Sequence, residues 1–233
     1  MIKNNISCFN CPNSNCFIKK YCSTELIQKM DEIKIINRFS KKQLIFHEGN
    51  PTDGIYFIQK GIIKVFKKGA FNKNQIVRIS TEGDFLGHRG FSTNNTYPVS
   101  AESLSDSLVC FVGKMFFYKI LEETPKLTIN LMLFLADEIN YEEARLRDMA
   151  VFNVREKVAK AIIMLIEKFG LNNANEINYL EEFTRQDIAE LVGLNPNQVT
   201  KILAEFKEDN IIETDNKKIK IIDLKKLEKI ILI

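Results

Sequence analysis

The residues of this chain whose spacing points most directly to chemistry are its five cysteines. Four fall within fifteen residues, at Cys8, Cys11, Cys16 and Cys22, and the fifth, Cys110, stands alone. An odd count fits a disulfide framework badly. Thiolates are soft ligands, so a close-set group of four suggests a bound metal or a redox sensor. Cys110, inside Leu108-Val109-Cys110-Phe111, would by itself serve as a small buried hydrophobe. The two histidines, His47 and His88, lack an axial-ligand motif for haem and read as structural or solvated.

A second stretch, FTRQDIAELVGLNPNQVTKILAEF from Phe183 to Phe206, suggests contact with nucleic acid. Thr184 can cap a short helix with Asp187 at N3, near the positive helix end. Ile188, Ala189 and Val192 form its inward face. Gly193 breaks the helix where a tight turn needs positive φ, and Leu194 follows as a core plug. Asn195 can cap a second helix with Pro196 at N1 and Gln198 at N3. Val199, Ile202, Leu203 and Phe206 would face inward, leaving Asn197, Gln198, Thr200 and Lys201 on the exposed leading side.

Such a second helix can enter a major groove. Asn and Gln suit adenine edges, Thr a base or phosphate, and Lys guanine or phosphate. Arg185 is placed for a backbone phosphate. A pair of helices that merely pack would look similar. The following segment argues for more: Ile211-Ile212-Glu213, a polar turn at Asp215-Asn216-Lys217-Lys218, then Ile219-Lys220-Ile221-Ile222. These read as a two-stranded wing, locally basic through Lys217, Lys218 and Lys220.

The elements that must carry these residues can be placed from composition and periodicity. The chain has 233 residues, 45% of them apolar and 27% charged, which excludes a disordered tail or a fibre. No apolar run approaches a membrane span, and Met1-Ile2-Lys3-Asn4-Asn5 has no secretory leader pattern. The expectation is a cytoplasmic protein with no membrane partner. The net charge of +3 says little about partners; residues 151–233 hold 13 Lys and Arg against 14 Asp and Glu.

Residues 1–23 read as a cysteine-rich arm held by something other than a core, with a short helix over 24–31. From about 33 to 112, short strands recur between glycine turns, as in an antiparallel sandwich or roll. Pro125 opens a long helix to about Ala150, with Leu131, Leu135, Ile139, Leu146 and Met149 as an apolar stripe. That stripe packs either on its own roll or against a second copy across a two-fold axis. Asn153 and Glu156 cap the next helix, Gly170 stops it, and 171–180 form a polar connector. The fold class is α+β, divided as 1–23 arm, 24–125 roll, 126–150 dimerisation helix and 151–233 winged helix-turn-helix.

Taken together, these features resemble the CRP/FNR family of bacterial transcription regulators. The likeness includes Phe46-His47-Glu48-Gly49, Lys60-Gly61, Gly83-Asp84-Phe85-Leu86-Gly87, the long helix and the C-terminal motif. It implies a cyclic-nucleotide-binding-type β-roll (jelly roll) and a homodimer on near-palindromic double-stranded DNA. It also implies an effector received by the N-terminal domain, and RNA polymerase as a partner. Family members that bind cAMP place a glutamate after the last glycine of this turn and an arginine pair further on. Here His88-Arg89 and Thr96-Tyr97-Pro98-Val99-Ser100 stand instead, which argues against cAMP. His88 and Arg89 remain a weak effector pocket.

Family members with an iron–sulfur sensor carry three N-terminal cysteines and one in a late strand. That likeness assigns Cys8, Cys11, Cys16 and Cys110 to a [4Fe-4S] cluster, with Cys22 as an alternative ligand. The set Cys8, Cys11, Cys16 and Cys22 is the competing choice, and zinc the competing metal. Glu138, Glu142 and Glu143 on the long helix would repel their mates across a dimer until the arm adjusts it. The expected function is a redox-gated, DNA-binding regulator and not an enzyme. A zinc- or small-molecule-dependent regulator and an iron–sulfur electron carrier are the rivals.

Overall fold

The structure is a computed structural model and describes residues 6–69, 73–215 and 217–231. The N-terminal pentapeptide and Asn216 of the wing turn lie outside the described residues. The chain divides into two units, Met1–Lys68 with Val77–Ile139, and Gly69–Ile76 with Asn140–Ile233.

In the first unit, the strands β1 (Ile35–Phe39), β2 (Leu44–Phe46), β3 (Gly54–Lys60), β4 (Ile63–Lys68), β5 (Asn74–Ser80), β6 (Phe85–Leu86), β7 (Ser100–Ser103) and β8 (Ser107–Gly113) form two four-stranded sheets. Their orders are β1-β8-β3-β6 and β2-β7-β4-β5. β3 shows why this segment reads as an unbroken apolar run. Tyr56 and Ile58 point between the sheets, against Phe46, Val65, Tyr97 and Val109. Ile55 and Phe57 point the other way, into a layer of helices. A strand buried on both faces cannot alternate apolar with polar residues. Gly87 takes φ 88, and a Cβ there would lie 2.9 Å from the Gly54 carbonyl oxygen, so only glycine fits this turn.

The helical layer comprises α1 (Phe17–Tyr21), α2 (Thr24–Ile33), α3 (Lys114–Glu123) and the first half of α4 (Pro125–Val151). Phe17, Ile18, Met30, Phe117, Ile120 and Leu127 bury themselves here. This corrects the expectation of an arm without a core: its end, Phe17-Ile18, is part of the roll's core, and Ile18 is 1% exposed. The pattern over 114–123 was not anticipated as a helix. The stripe on α4 also divides. Leu131 packs on the roll, whereas Leu135 and Ile139, joined by Ile129, Met132 and Leu133, stay exposed.

In the second unit, Leu146 continues as an exposed apolar residue on α4. α5 (Val154–Phe169) carries the Asn153–Glu156 capping box, with reciprocal bonds of 2.7 and 3.1 Å. Then come α6 (Arg185–Val192), α7 (Pro196–Glu208), β9 (Ile212–Asp215), β10 (Lys218–Ile221) and α8 (Leu224–Ile231). Val158, Ile162, Ile188, Val199, Phe206 and Leu227 are buried residues of this unit. The Arg155 guanidinium covers the Phe206 ring at 4.8 Å. No helix among the described residues is long and apolar enough to cross a membrane.

Candidate sensor site and nucleic-acid interface

The cysteine arm lies on the helical side of the β1-β8-β3-β6 sheet. On β8, Cys110 pairs in register with Phe57 of β3 and Ile36 of β1, and it packs with Cys16 and Cys22 against the same core. Burial pushes the Cys110 thiol up to about 12; Lys34 opposes this, and nearby Cys8, Cys16 and Cys11 add to it. Cys8, Cys11 and Cys16 are therefore Cys110's electrostatic neighbours. Burial raises the Cys22 thiol to about 11, and the neighbouring Cys16 adds to it. All five thiols are free.

Several side chains fix the arm. Lys34 Nζ donates to Cys8 Sγ at 3.1 Å, and Asp31 accepts from the Cys8 amide at 2.7 Å. Lys19 Nζ donates to the Cys11 carbonyl at 3.0 Å, and Asn13 Nδ2 to the Ile58 carbonyl at 3.2 Å. Gln59 Nε2 lies 3.8 Å from Cys11 Sγ, and its Oε1 is buried without a hydrogen-bond partner among the described residues. No three His, Cys, Asp or Glu residues among those described converge tightly enough for a single metal ion. Cys8, Cys11, Cys16 and Cys110 are soft donors of the kind a metal–sulfur group takes, and Lys34 and Gln59 Nε2 bring hydrogen-bond donors to two of their sulfurs.

His88 and Arg89 converge on one carboxylate of the long helix. His88 Nε2 meets Glu138 Oε2 at 2.8 Å, Arg89 Nε lies 3.3 Å from the same oxygen, and Arg78 donates to Oε1 at 2.7 Å. Burial lowers the His88 pKa against the pull of the Glu138 bond and charge, and the ring nitrogen donates this bond to the carboxylate. Burial opposes ionisation of Glu138, but the His88 bond and the Arg78 and Arg89 charges hold its pKa at about 2. Glu138 is thus satisfied inside its own unit. His88 and Arg89 also line a cavity of about 10 Å³, roughly the room one water needs. Phe46 and Tyr97 stack at 4.2 Å in its wall.

The helix-turn-helix geometry follows from local chemistry. Thr184 and Asp187 form a capping box on α6, Gly193 takes φ 67 at its end, and Asn195 and Gln198 form a second box on α7. Asn197, Thr200 and Lys201 are exposed on the first turns of α7, and Gln198 and Arg185 are half-buried. Two of these groups are partly engaged. Gln198 Oε1 accepts from the Asn195 amide at 3.1 Å, and the Thr200 hydroxyl donates to the Pro196 carbonyl at 2.9 Å. The wing pairs Ile212 with Ile221 and Asp215 with Lys218. Its basic character is smaller than the composition suggests. Lys218 pairs with Glu176 at 3.0 Å and Lys220 with Glu213 at 3.1 Å, leaving Lys217 exposed at the turn.

Residues 36–124 match the model for the cyclic nucleotide-binding domain, and residues 156–230 that for the Crp-like helix-turn-helix domain. The chain is 23% identical to the transcriptional activator protein anr of Pseudomonas aeruginosa, over 93% of this chain and 88% of that one. It is 26% identical to electron transport regulator A of Shewanella oneidensis, over 94% and 87%. It is 23% identical to a CRP-like cAMP-activated global transcriptional regulator of Mycobacterium tuberculosis, over 81% and 84%. Among solved structures, FixK2 from Bradyrhizobium japonicum superposes with a TM-score of 0.75 at 18% identity, over 85% of this chain and 97% of that one.

A nucleotide-binding-type roll followed by a winged helix-turn-helix defines a DNA-binding transcription regulator, and the likeness is to such regulators rather than to enzymes. The two domain models together cover more than half of the sequence, and the chain belongs to the CRP/FNR family.

Proposed function

We propose that this protein is a homodimeric regulator whose binding to a near-palindromic operator is gated by an iron–sulfur group on Cys8, Cys11, Cys16 and Cys110. The observation that carries the gate is the approach of Cys8, Cys11 and Cys16 to Cys110, close enough for each to act on its thiol. The names of the anaerobic and electron-transport regulators similar to this chain support a redox signal. A bound cluster would supply an oxidation-sensitive tie between arm and roll.

This chain's residues supply the rest. Asn195 and Pro196 start α7 so that Asn197, Thr200 and Lys201 lead it into the groove, with Gln198 beside them. Arg185, Lys217 and Lys218 contact phosphates. The exposed Ile129, Met132, Leu133, Ile139 and Leu146 on α4 bury themselves against a second copy, since an apolar patch of this size marks an interface. The arm reaches α4 through rings: Phe17, next to Cys16, lies 4.8 Å from Phe85, and Phe85 lies 4.7 Å from Phe134 on α4. Ordering or releasing the arm therefore changes what α4 packs against, which is the differential contact a coupling needs.

Zinc at the same cysteines is the second reading, favoured only by the tetrathiolate donor set. Cyclic nucleotide has little to support it: the roll interior is filled by the Phe46–Tyr97 stack, and His88 follows Gly87 where a ribose carboxylate would be needed. Iron, sulfide and zinc analysis after oxygen-free purification tests the gate. The expected result is iron and sulfide lost in air; one zinc per chain, stable in air, would replace the cluster.

A further inference from the structure

Lys34 is only 4% exposed, an unusual place for an ammonium group. All three of its donors are used: Ile6 carbonyl at 2.8 Å, Asp31 Oδ1 at 2.6 Å and Cys8 Sγ at 3.1 Å. Asp31 in turn accepts from the Cys8 amide at 2.7 Å and from the Ser7 hydroxyl. Residues 6–8 belong to no helix or strand, so these four contacts of Asp31 and Lys34 with Ile6, Ser7 and Cys8 hold the segment where regular structure does not.

We propose that Lys34, seated on Asp31, is the positioning residue of the cysteine site. It fixes the Cys8 sulfur against the roll and supplies the positive charge that a buried group of anionic sulfurs requires. The inference rests on the reading that these cysteines hold a metal–sulfur group. One feature separates it from an ordinary structural ion pair. A Lys–Asp pair that only stabilised the fold would have no need of the sulfur, yet one ammonium hydrogen is spent on it. Lys34 directly precedes β1, whose Ile36 pairs with Cys110, and its charge acts on the Cys110 thiol as well as on Cys8. Groups of this kind, one step behind the ligands, orient them and tune metal retention.

The test uses the full chain handled without oxygen, as wild type, Lys34→Met, Lys34→Arg and Asp31→Asn. Hydrogen exchange of the peptide covering residues 6–11 is measured on metal-free protein. Iron loss to a chelator is measured after reconstitution with ferrous iron and sulfide. Lys34→Met is expected to speed arm exchange and iron loss by roughly tenfold or more, the loss expected with a charge-assisted bond. Lys34→Arg is expected to restore most of the iron retention. Asp31→Asn should loosen the arm with a smaller effect on iron. Unchanged exchange and unchanged retention in Lys34→Met overturn the proposal. So does faster exchange with unaltered iron retention, which reduces Lys34 to a fold contact. If Lys34→Met does not fold, Lys34→Arg and Asp31→Asn decide the same two quantities. If the wild type takes up no iron, the cluster reading falls on its own, and arm exchange alone decides whether Lys34 anchors Cys8.

Discussion

Glu138 on α4 accepts a hydrogen bond from His88 across 2.8 Å, fifty residues away in sequence, and so ties the long helix to the turn that follows Gly87. Its carboxyl is held at about 2 against an ordinary 4.5. A depressed acid stabilises the fold fully above its unfolded value, and loses that contribution as the pH falls through the folded one. The first unit should therefore lose on the order of 3 kcal/mol between about pH 4.5 and 2. Glu138→Gln should cost on the order of 2–3 kcal/mol at pH 7, by removing the carboxylate that Arg78, His88 and Arg89 share, and should flatten the acid limb. Urea unfolding at pH 7, pH 4 and pH 2 measures both. An unchanged pH profile in the variant would remove Glu138 from this role.

Substitution decides between Cys110 and Cys22 as the fourth ligand. Cys110→Ser should abolish iron uptake, and Cys22→Ser should leave it near wild type, because Cys8, Cys11 and Cys16 all act on the Cys110 thiol. Iron per chain after reconstitution reads the difference. Loss of iron in Cys22→Ser with retention in Cys110→Ser would assign the site to the four N-terminal residues instead.

Reading of DNA should depend on Lys201 more than on the wing. Lys201→Ala should weaken specific operator binding by about 1–3 kcal/mol. Lys217→Ala should weaken binding to all sequences and lower the salt slope by about one. Lys218→Ala should do less, since that side chain is already held by Glu176 at 3.0 Å. Binding isotherms at several salt concentrations resolve the three. Equal loss of specificity from Lys217→Ala and Lys201→Ala would place the reading surface elsewhere.

An exposed apolar face on α4 predicts self-association. Leu146 is 71% and Met132 61% exposed. Leu146→Asp should shift the chain from dimer toward monomer in sedimentation at micromolar concentration, by placing a charge in the interface. A monomeric wild type would contradict the dimer.

What the sequence showed depended on the range of the interaction. The capping boxes at Asn153, Thr184 and Asn195 and the left-handed Gly193 were legible because each is settled within four residues. The grouping of Cys110 with the arm was suggested by family likeness, not by spacing, since strand register decides what Cys110 faces. Phe17 reads as part of a polar arm because Asn13-Ser14-Asn15 and Lys19-Lys20 bracket the short Cys16-Phe17-Ile18 run; its burial comes from Phe85 and Phe134, distant in sequence. The partners of Glu138 were hidden for the same reason. Its three cationic or imidazole neighbours sit on two other segments, and a carboxylate on a charged helix gives no sign of where it points. The helix over Lys114–Glu123 was missed because its two charged ends and short apolar middle carry little periodicity.

Footprinting of genomic fragments with full-length protein, purified without oxygen and then exposed to air, tests the central claim most directly. The account predicts protection of a near-palindromic sequence that weakens as iron is lost. Absence of any protected sequence under either atmosphere would contradict it.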